Sequence, residues 1–235
     1  MVYWLDFVYS PPWFYGKDIV IDIISAIVVL IIGIFAFRNF LLDKKNYRHL
    51  LFSAAFVILG GSFIVKILTN ILSHHIIGIS KYLTGLLIPN IIPKYSLLPA
   101  LGFLIHAGMT LFGFYILYTL TSEHKIISTD YLMIAYFIVI STYFARFNYF
   151  LFYITALIFL VTITRRYFLS YKKSKYKNTF FLGVSFCVIG LSQFVFIFTS
   201  SNHTLYVLAE IIQLIGYLFL LYTFVMVLRN AKKKK

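Results

Sequence analysis

Seven stretches of this chain are each apolar over close to the roughly 20 residues an α-helix needs to cross a bilayer. They lie at about 18–38, 48–69, 99–120, 130–147, 148–168, 179–200 and 204–228. Inside hydrocarbon a backbone must satisfy its own hydrogen bonds, so runs of this length and number are read as helices. Composition agrees: 61% of the 235 residues are hydrophobic and 12% are charged, against roughly 25% charged in soluble domains. The reading is an all-α, polytopic membrane bundle of seven transmembrane helices over 18–230, with an aromatic interfacial tail at 1–17 and a basic tail at 231–235. The opening MVYWLDFVYSPPWFYGKD has neither a basic start nor a small-residue cleavage site, so it does not read as a signal peptide. One cysteine, Cys187, excludes an internal disulfide framework.

Charge placement gives an orientation. Arg38, Lys44, Lys45 and Arg48 follow the first run, and Lys125 follows the third. Arg165, Arg166, Lys172, Lys173, Lys175 and Lys177 follow the fifth; Arg229 and Lys232 to Lys235 follow the seventh. These are sixteen of the 21 basic residues, all on one side. The positive-inside rule makes that side cytoplasmic, with the N-terminus outside and the C-terminus in the cytoplasm. The net charge of +14 is then a topology signal with attraction to anionic lipid heads as a side effect. No nucleic-acid partner is expected, and the cell (plasma) membrane is the expected location. Residues 70–96 form an outer insertion, too long for a turn and too broken to span. Within it YLTGLLIPNIIP reads as a short interfacial or re-entrant segment ended by Pro89 and Pro93.

An internal repeat is legible. Residues 24–68 lie over 154–198 without a gap: ISAIVVL meets ITALIFL, and FVILGGS meets FCVIGLS, which puts Gly60 on Gly190 and Ser62 on Ser192. With another offset LIHAGMTLFGFYILYTL lies over LAEIIQLIGYLFLLYTF, placing His106 on Glu210. Shared composition is the competing explanation; the same order of features in three successive helices argues for duplication. The units run over about 18–120 and 148–228, with a linker helix at about 130–147, so the expected plan is a parallel 3+1+3 duplication.

The polar residues within the runs fall at spacings of three and four, which puts each set on one helix face. The sets are Asp18, Asp22 and Ser25; Ser62, Lys66 and Asn70; Gly102, His106, Thr110 and Gly113; Thr142 and Arg146; Ser192 and Gln193; and Glu210, Gln213 and Tyr217. On the assigned topology Asp22 lies about a turn below the outer surface and Lys66 about a turn from the outer end of its run. His106, Gln193 and Glu210 lie roughly two turns in. Isolated charges there are expensive, so they are expected to pair or to line a wet cavity. The candidate pocket is Glu210, Gln213, Lys66, His106, Gln193 and Asp22, with Glu210 and Lys66 as the expected pair and Asp22 competing for Lys66. The alternatives are an ion-pair cluster that merely joins helices, and Lys66 and Asp22 snorkelling to the interface. Glu210 is too short and too deep to do that.

His74, His75, His106 and His203 show no HxxxH or HExxH spacing, so no metal site is expected. No nucleophile elbow, paired-carboxylate motif or phosphate loop occurs. The chain is therefore not read as an enzyme, and no catalytic residue or cofactor is assigned. Asn202-His203-Thr204 is a glycosylation sequon close to the membrane.

Seven spans, an outer N-terminus and a 3+1+3 repeat resemble the opsin-like and sugar-transporter-like seven-helix architecture. In microbial rhodopsins of that architecture a lysine in the seventh helix holds retinal; no lysine occurs from Tyr206 to Leu228, so no retinal is implied. Sugar-transporter-like members carry prolines within helices, whereas Pro11, Pro12, Pro89, Pro93 and Pro99 lie outside the helix interiors here. The ending AEIIQLIGYLFLLYTFVMVLRN is similar to the last helix of seven-helix sensor modules in microbial signalling proteins, notably histidine kinases. That resemblance implies a receptor-like or sensory module with an outward polar pocket for a small ligand and a separate signalling protein as partner. A small-solute transporter of 3+1+3 type is the second reading, and a structural or assembly subunit the third.

Overall fold

The computed structural model describes residues 10–11, 13–14, 16–42, 44, 47–83, 97–121, 128–145, 149–199 and 201–232, with side chains described except at 73–83, 97–99, 128–134, 145, 228 and 230–232. Seven helices follow the seven apolar runs: α1 Lys17–Leu42, α2 Tyr47–Leu83, α3 Leu97–Thr121, α4 Ser128–Ala145, α5 Phe150–Ser174, α6 Lys177–Ile197 and α7 Thr204–Lys232. Among the described residues six of them, all but α4, are long and apolar enough to cross a membrane; the side chains described in α4 cover an apolar stretch, Ala135–Phe144. The protein is an integral membrane helical bundle.

Two boundaries differ from the sequence reading. Helix α2 does not stop near residue 69 but continues to Leu83, taking in the first part of the 70–96 insertion. Lys66 is therefore well inside its helix, while staying between one and two turns from the end of the apolar span Tyr47–Leu72. Helix α5 continues to Ser174, so Arg165 and Arg166 sit on the helix itself, not in a following loop. Hydropathy marks where lipid ends, while a helix ends where its backbone stops being satisfied. The proposed re-entrant stretch beyond Leu83, the tails at 1–9 and 233–235, and the side chains of His74, His75 and Arg146 lie outside the described residues.

Each helix packs on the next, α7 returns to α1, and α3 meets α5. Six helices thus form a closed cycle of neighbours, α1-α2-α3-α5-α6-α7, and α4 lies against α3 and α5. Exchanging α1, α2 and α3 for α5, α6 and α7 leaves the six-helix cycle unchanged, though not the two contacts of α4.

The faces sort by polarity as a bilayer demands. On α1 the buried face carries Asp18, Asp22, Ser25 and Gly33 among small apolar residues, while Ile23, Ile27, Ile34 and Phe37 are exposed. Lipid solvates aliphatic side chains as well as a core does, so the polar and small residues are the ones drawn inside. The interior is filled by Phe56, Leu59, Phe114, Phe186, Ile189, Tyr217 and Leu220. Glycines set the closest crossings: Gly113 lies against Leu59 and the Ala55 carbonyl, and Gly216 against the backbone of Ile189. Hydroxyls add cross-links, Ser53 Oγ donating to the Gly33 carbonyl (2.8 Å) and Ser141 meeting Thr155 (2.6 Å).

Short connections carry their own turn chemistry. Lys175 adopts a left-handed backbone (φ 58°) and its N–H returns to the Tyr171 carbonyl, ending α5. Asn202 Oδ1 accepts from the Thr204 N–H (2.9 Å), which starts α7. That bond occupies the side chain of the sequon.

Candidate functional site

Three charged side chains from three helices meet within the bundle. Lys66 of α2 donates from Nζ to Asp22 Oδ1 of α1 at 2.8 Å and to Glu210 Oε1 of α7 at 2.6 Å. Asp22 is 0% and Glu210 1% exposed, and Lys66 retains 18%, so neither carboxylate reaches the surface. The lysine stem lets one ammonium on α2 span two helices that themselves pack together. Of the partners expected for Glu210, Lys66 is the one that bonds; the competing partner Asp22 binds the same ammonium rather than displacing it. Snorkelling of Asp22 is overturned by its burial: a short carboxylate engaged inside the bundle has no route to the interface.

One ammonium serves two carboxylates, so full ionisation of both would leave one negative charge in excess. The second oxygen of Asp22, Oδ2, is buried and has no hydrogen-bond partner among the described residues. A buried carboxylate oxygen without a donor is costly in a low-dielectric interior. The cluster is therefore short of one positive or donating group. Asp18, one turn away on the same helix, is also buried and accepts the Ile19 N–H (2.9 Å).

The remaining sequence-selected residues line the same interior but bond elsewhere. His106 on α3 contacts the Ser62 carbonyl through Nδ1 (2.9 Å); a carbonyl only accepts, so the proton sits on Nδ1. Its ring lies near Phe63 and Phe152. Gln193 on α6 is buried and donates to Ser192 Oγ (3.3 Å). Gln213 lies one turn before Tyr217 on the same face of α7, and the Tyr217 ring meets Phe63 edge-on. His106, Gln193 and Gln213 thus lie on three different helices around the triad without bonding to it.

Sequence reasoning missed three features. Tyr206 places its ring 6.0 Å from Lys66 Nζ and was hidden among many tyrosines, although it sits one helical turn before Glu210. Thr110 donates to Ser62 Oγ (3.0 Å), tying α3 to α2 below His106. At the other end Arg166 stacks over Tyr118 (4.3 Å) and donates to its hydroxyl (3.1 Å) and carbonyl (3.4 Å). It had been read only as a topology charge; Arg165, its neighbour, is exposed.

Among the described residues no three His, Cys, Asp or Glu side chains are placed to hold a metal ion. No known family model matches the chain, and no curated protein or solved structure matches it.

Proposed function

We propose that this protein is a receptor-like or sensory seven-helix module of the cell membrane, without enzymatic activity, that recognises a small cationic or hydrogen-bond-donating ligand at the Asp22–Lys66–Glu210 cluster. The observation that carries this reading is the Lys66 bridge between two carboxylates, with an Asp22 oxygen that no described residue meets. A ligand that supplies the missing positive group competes with Lys66 for Asp22 or Glu210. It thereby changes the link between α2 and the α1–α7 pair, a local charge event with a helix-scale readout. The packed Phe56, Leu59, Phe114 and Tyr217 beyond the cluster favour sensing over passage. The signal would leave at the basic end, to a separate partner.

A panel of primary and quaternary amines added to protein in nanodiscs tests this. The expected result is a rise in thermal midpoint of the wild type with at least one amine, lost in Glu210→Gln while that variant stays folded. No stabilisation of the wild type by any amine would remove the cationic-ligand reading. Uptake of the active amine into proteoliposomes would move the assignment to the transporter reading.

One observation favours that second reading, and with it a duplication. The cycle of six helices, α4 set aside, is unchanged by exchanging the two three-helix sets, as a transporter built from two parallel repeats requires. Local contacts recur as well: Ser62 and Ser192 each donate to the carbonyl three residues before (2.7 Å in both). Gly60 lies against Leu30, and Gly190 against Leu160. The contacts of Gly113 and Gly216 favour pairing these two glycines, a register one residue from the one that puts His106 on Glu210. Buried Ala107 then corresponds to Glu210, and the carboxylate belongs to one half only.

A further inference from the structure

On the outer face of α5 and α6, away from the charged cluster, lies a groove of about 710 Å³. Its walls are apolar along most of their length, with Leu157, Val161 and Phe168 from α5 and Leu191 and Phe194 from α6. Arg165 and Lys172 complete it towards the basic end of α5. Both are exposed, and no described residue forms an ion pair with either. Thr164, also in the wall, has a buried hydroxyl without a hydrogen-bond partner among the described residues. We propose that this groove is a binding site for an anionic glycerophospholipid, with an acyl chain along the apolar wall and the phosphate-bearing head group on Arg165 and Lys172.

The occupant follows from the order of chemistry along the groove. An unpaired guanidinium on a lipid-facing helix surface is expensive unless an anion reaches it or it snorkels. An apolar run followed by two cations is complementary to a molecule with a chain at one end and a phosphate at the other. Arginine suits phosphate because its planar fork donates two parallel hydrogen bonds. Arg165 and Lys172 are seven positions apart, close to two turns, so both fall on one face. The partition of the two arginines supports the assignment: Arg166 turns inward and is satisfied on Tyr118, which leaves Arg165 facing out.

The test places a reporter in the groove. Leu191→Trp, in a Trp4→Phe, Trp13→Phe background, puts the only tryptophan at a lipid-facing wall position. The protein is reconstituted in phosphatidylcholine nanodiscs containing brominated-chain phosphatidylglycerol or brominated-chain phosphatidylcholine at equal mole fraction. Attraction of each basic residue for an anionic lipid predicts half-quenching by phosphatidylglycerol at a mole fraction on the order of tenfold lower. Arg165→Gln with Lys172→Gln should abolish the difference. Lys175→Gln with Lys177→Gln removes the same charge outside the groove and should preserve it. Equal quenching by the two lipids, or equal loss in both double variants, would reduce the groove to ordinary annular contact and overturn the proposal. A tryptophan quenched by neither lipid means that protein covers the groove, a second copy included, and also overturns it.

Discussion

At the residue scale, the chemistry concentrates in one shared ammonium. With Lys66 bound to both Asp22 and Glu210, removing either carboxylate leaves a one-to-one pair, whereas removing the lysine leaves two buried anions. Lys66→Met should therefore lower stability by about 3–5 kcal/mol, read as the unfolding midpoint in detergent. Asp22→Asn and Glu210→Gln should each cost about 1 kcal/mol. The Asp22→Asn, Glu210→Gln double variant leaves Lys66 buried and unpaired, and should exceed the sum of the singles by at least about 1 kcal/mol. Additive losses would mean that Lys66 has a second anchor. Glu210 and Lys66 were legible as a pair because each is out of place among aliphatic neighbours. The three-way bridge was not, since hydropathy gives depth along a helix but not which two neighbours a lysine faces.

At the scale of elements, glycine contacts separate two kinds of helix crossing. A Cβ at Gly216 would lie 3.1 Å from the Ile189 backbone N and 2.6 Å from its Cγ1, whereas at Gly190 the nearest atom is Leu160 Cβ at 3.5 Å. Backbone cannot rotate away as a side chain can. Gly216→Ala should thus push α6 from α7 and cost roughly 1–3 kcal/mol. Gly190→Ala should be neutral or stabilise by up to about 1 kcal/mol, since alanine is the better helix former. Thermal midpoints of the two variants in the same detergent check the contrast, and equal effects would show that the α6–α7 crossing is looser than described. The helices themselves were readable from apolar length. Their ends were less so: the α2 extension to Leu83 is chemically mixed, and mixed sequence stays helical once its backbone bonds are made.

At the scale of the whole molecule, orientation is tested by labelling. In a Cys187→Ser background, a cysteine at Ser201 should react with an impermeant maleimide added outside cells, and one at Ser174 should not. Both positions are exposed and lie towards opposite ends of α6, Ser174 as the last residue of α5 and Ser201 between α6 and α7, so a reversed pattern would invert the sidedness of the charged cluster as well. The cyclic order of helices was not written in the apolar runs. Any of the runs packs acceptably on any other by hydropathy alone, and lipid competes equally for their outer faces. The return of α7 to α1 completes the cycle, and the contact of α3 with α5 is made by ring pairs such as Phe103–Phe152 and Tyr118–Phe159 and by Arg166 over Tyr118.

The chain by itself determined that it is a membrane helix bundle, because hydrocarbon admits few alternatives for a backbone in runs this long. It also marked the residues that must turn inward, because Asp22, Lys66 and Glu210 cannot rest against lipid as ions. Tertiary structure alone decided which of them meet. Three charges on α1, α2 and α7 become one cluster only when the cycle closes, and the same closure turns Arg166 onto Tyr118 and leaves Arg165 facing outward. A linear pattern fixes the face of a residue relative to its own helix; the rotation of each helix against its neighbours is set by contacts that span the whole sequence.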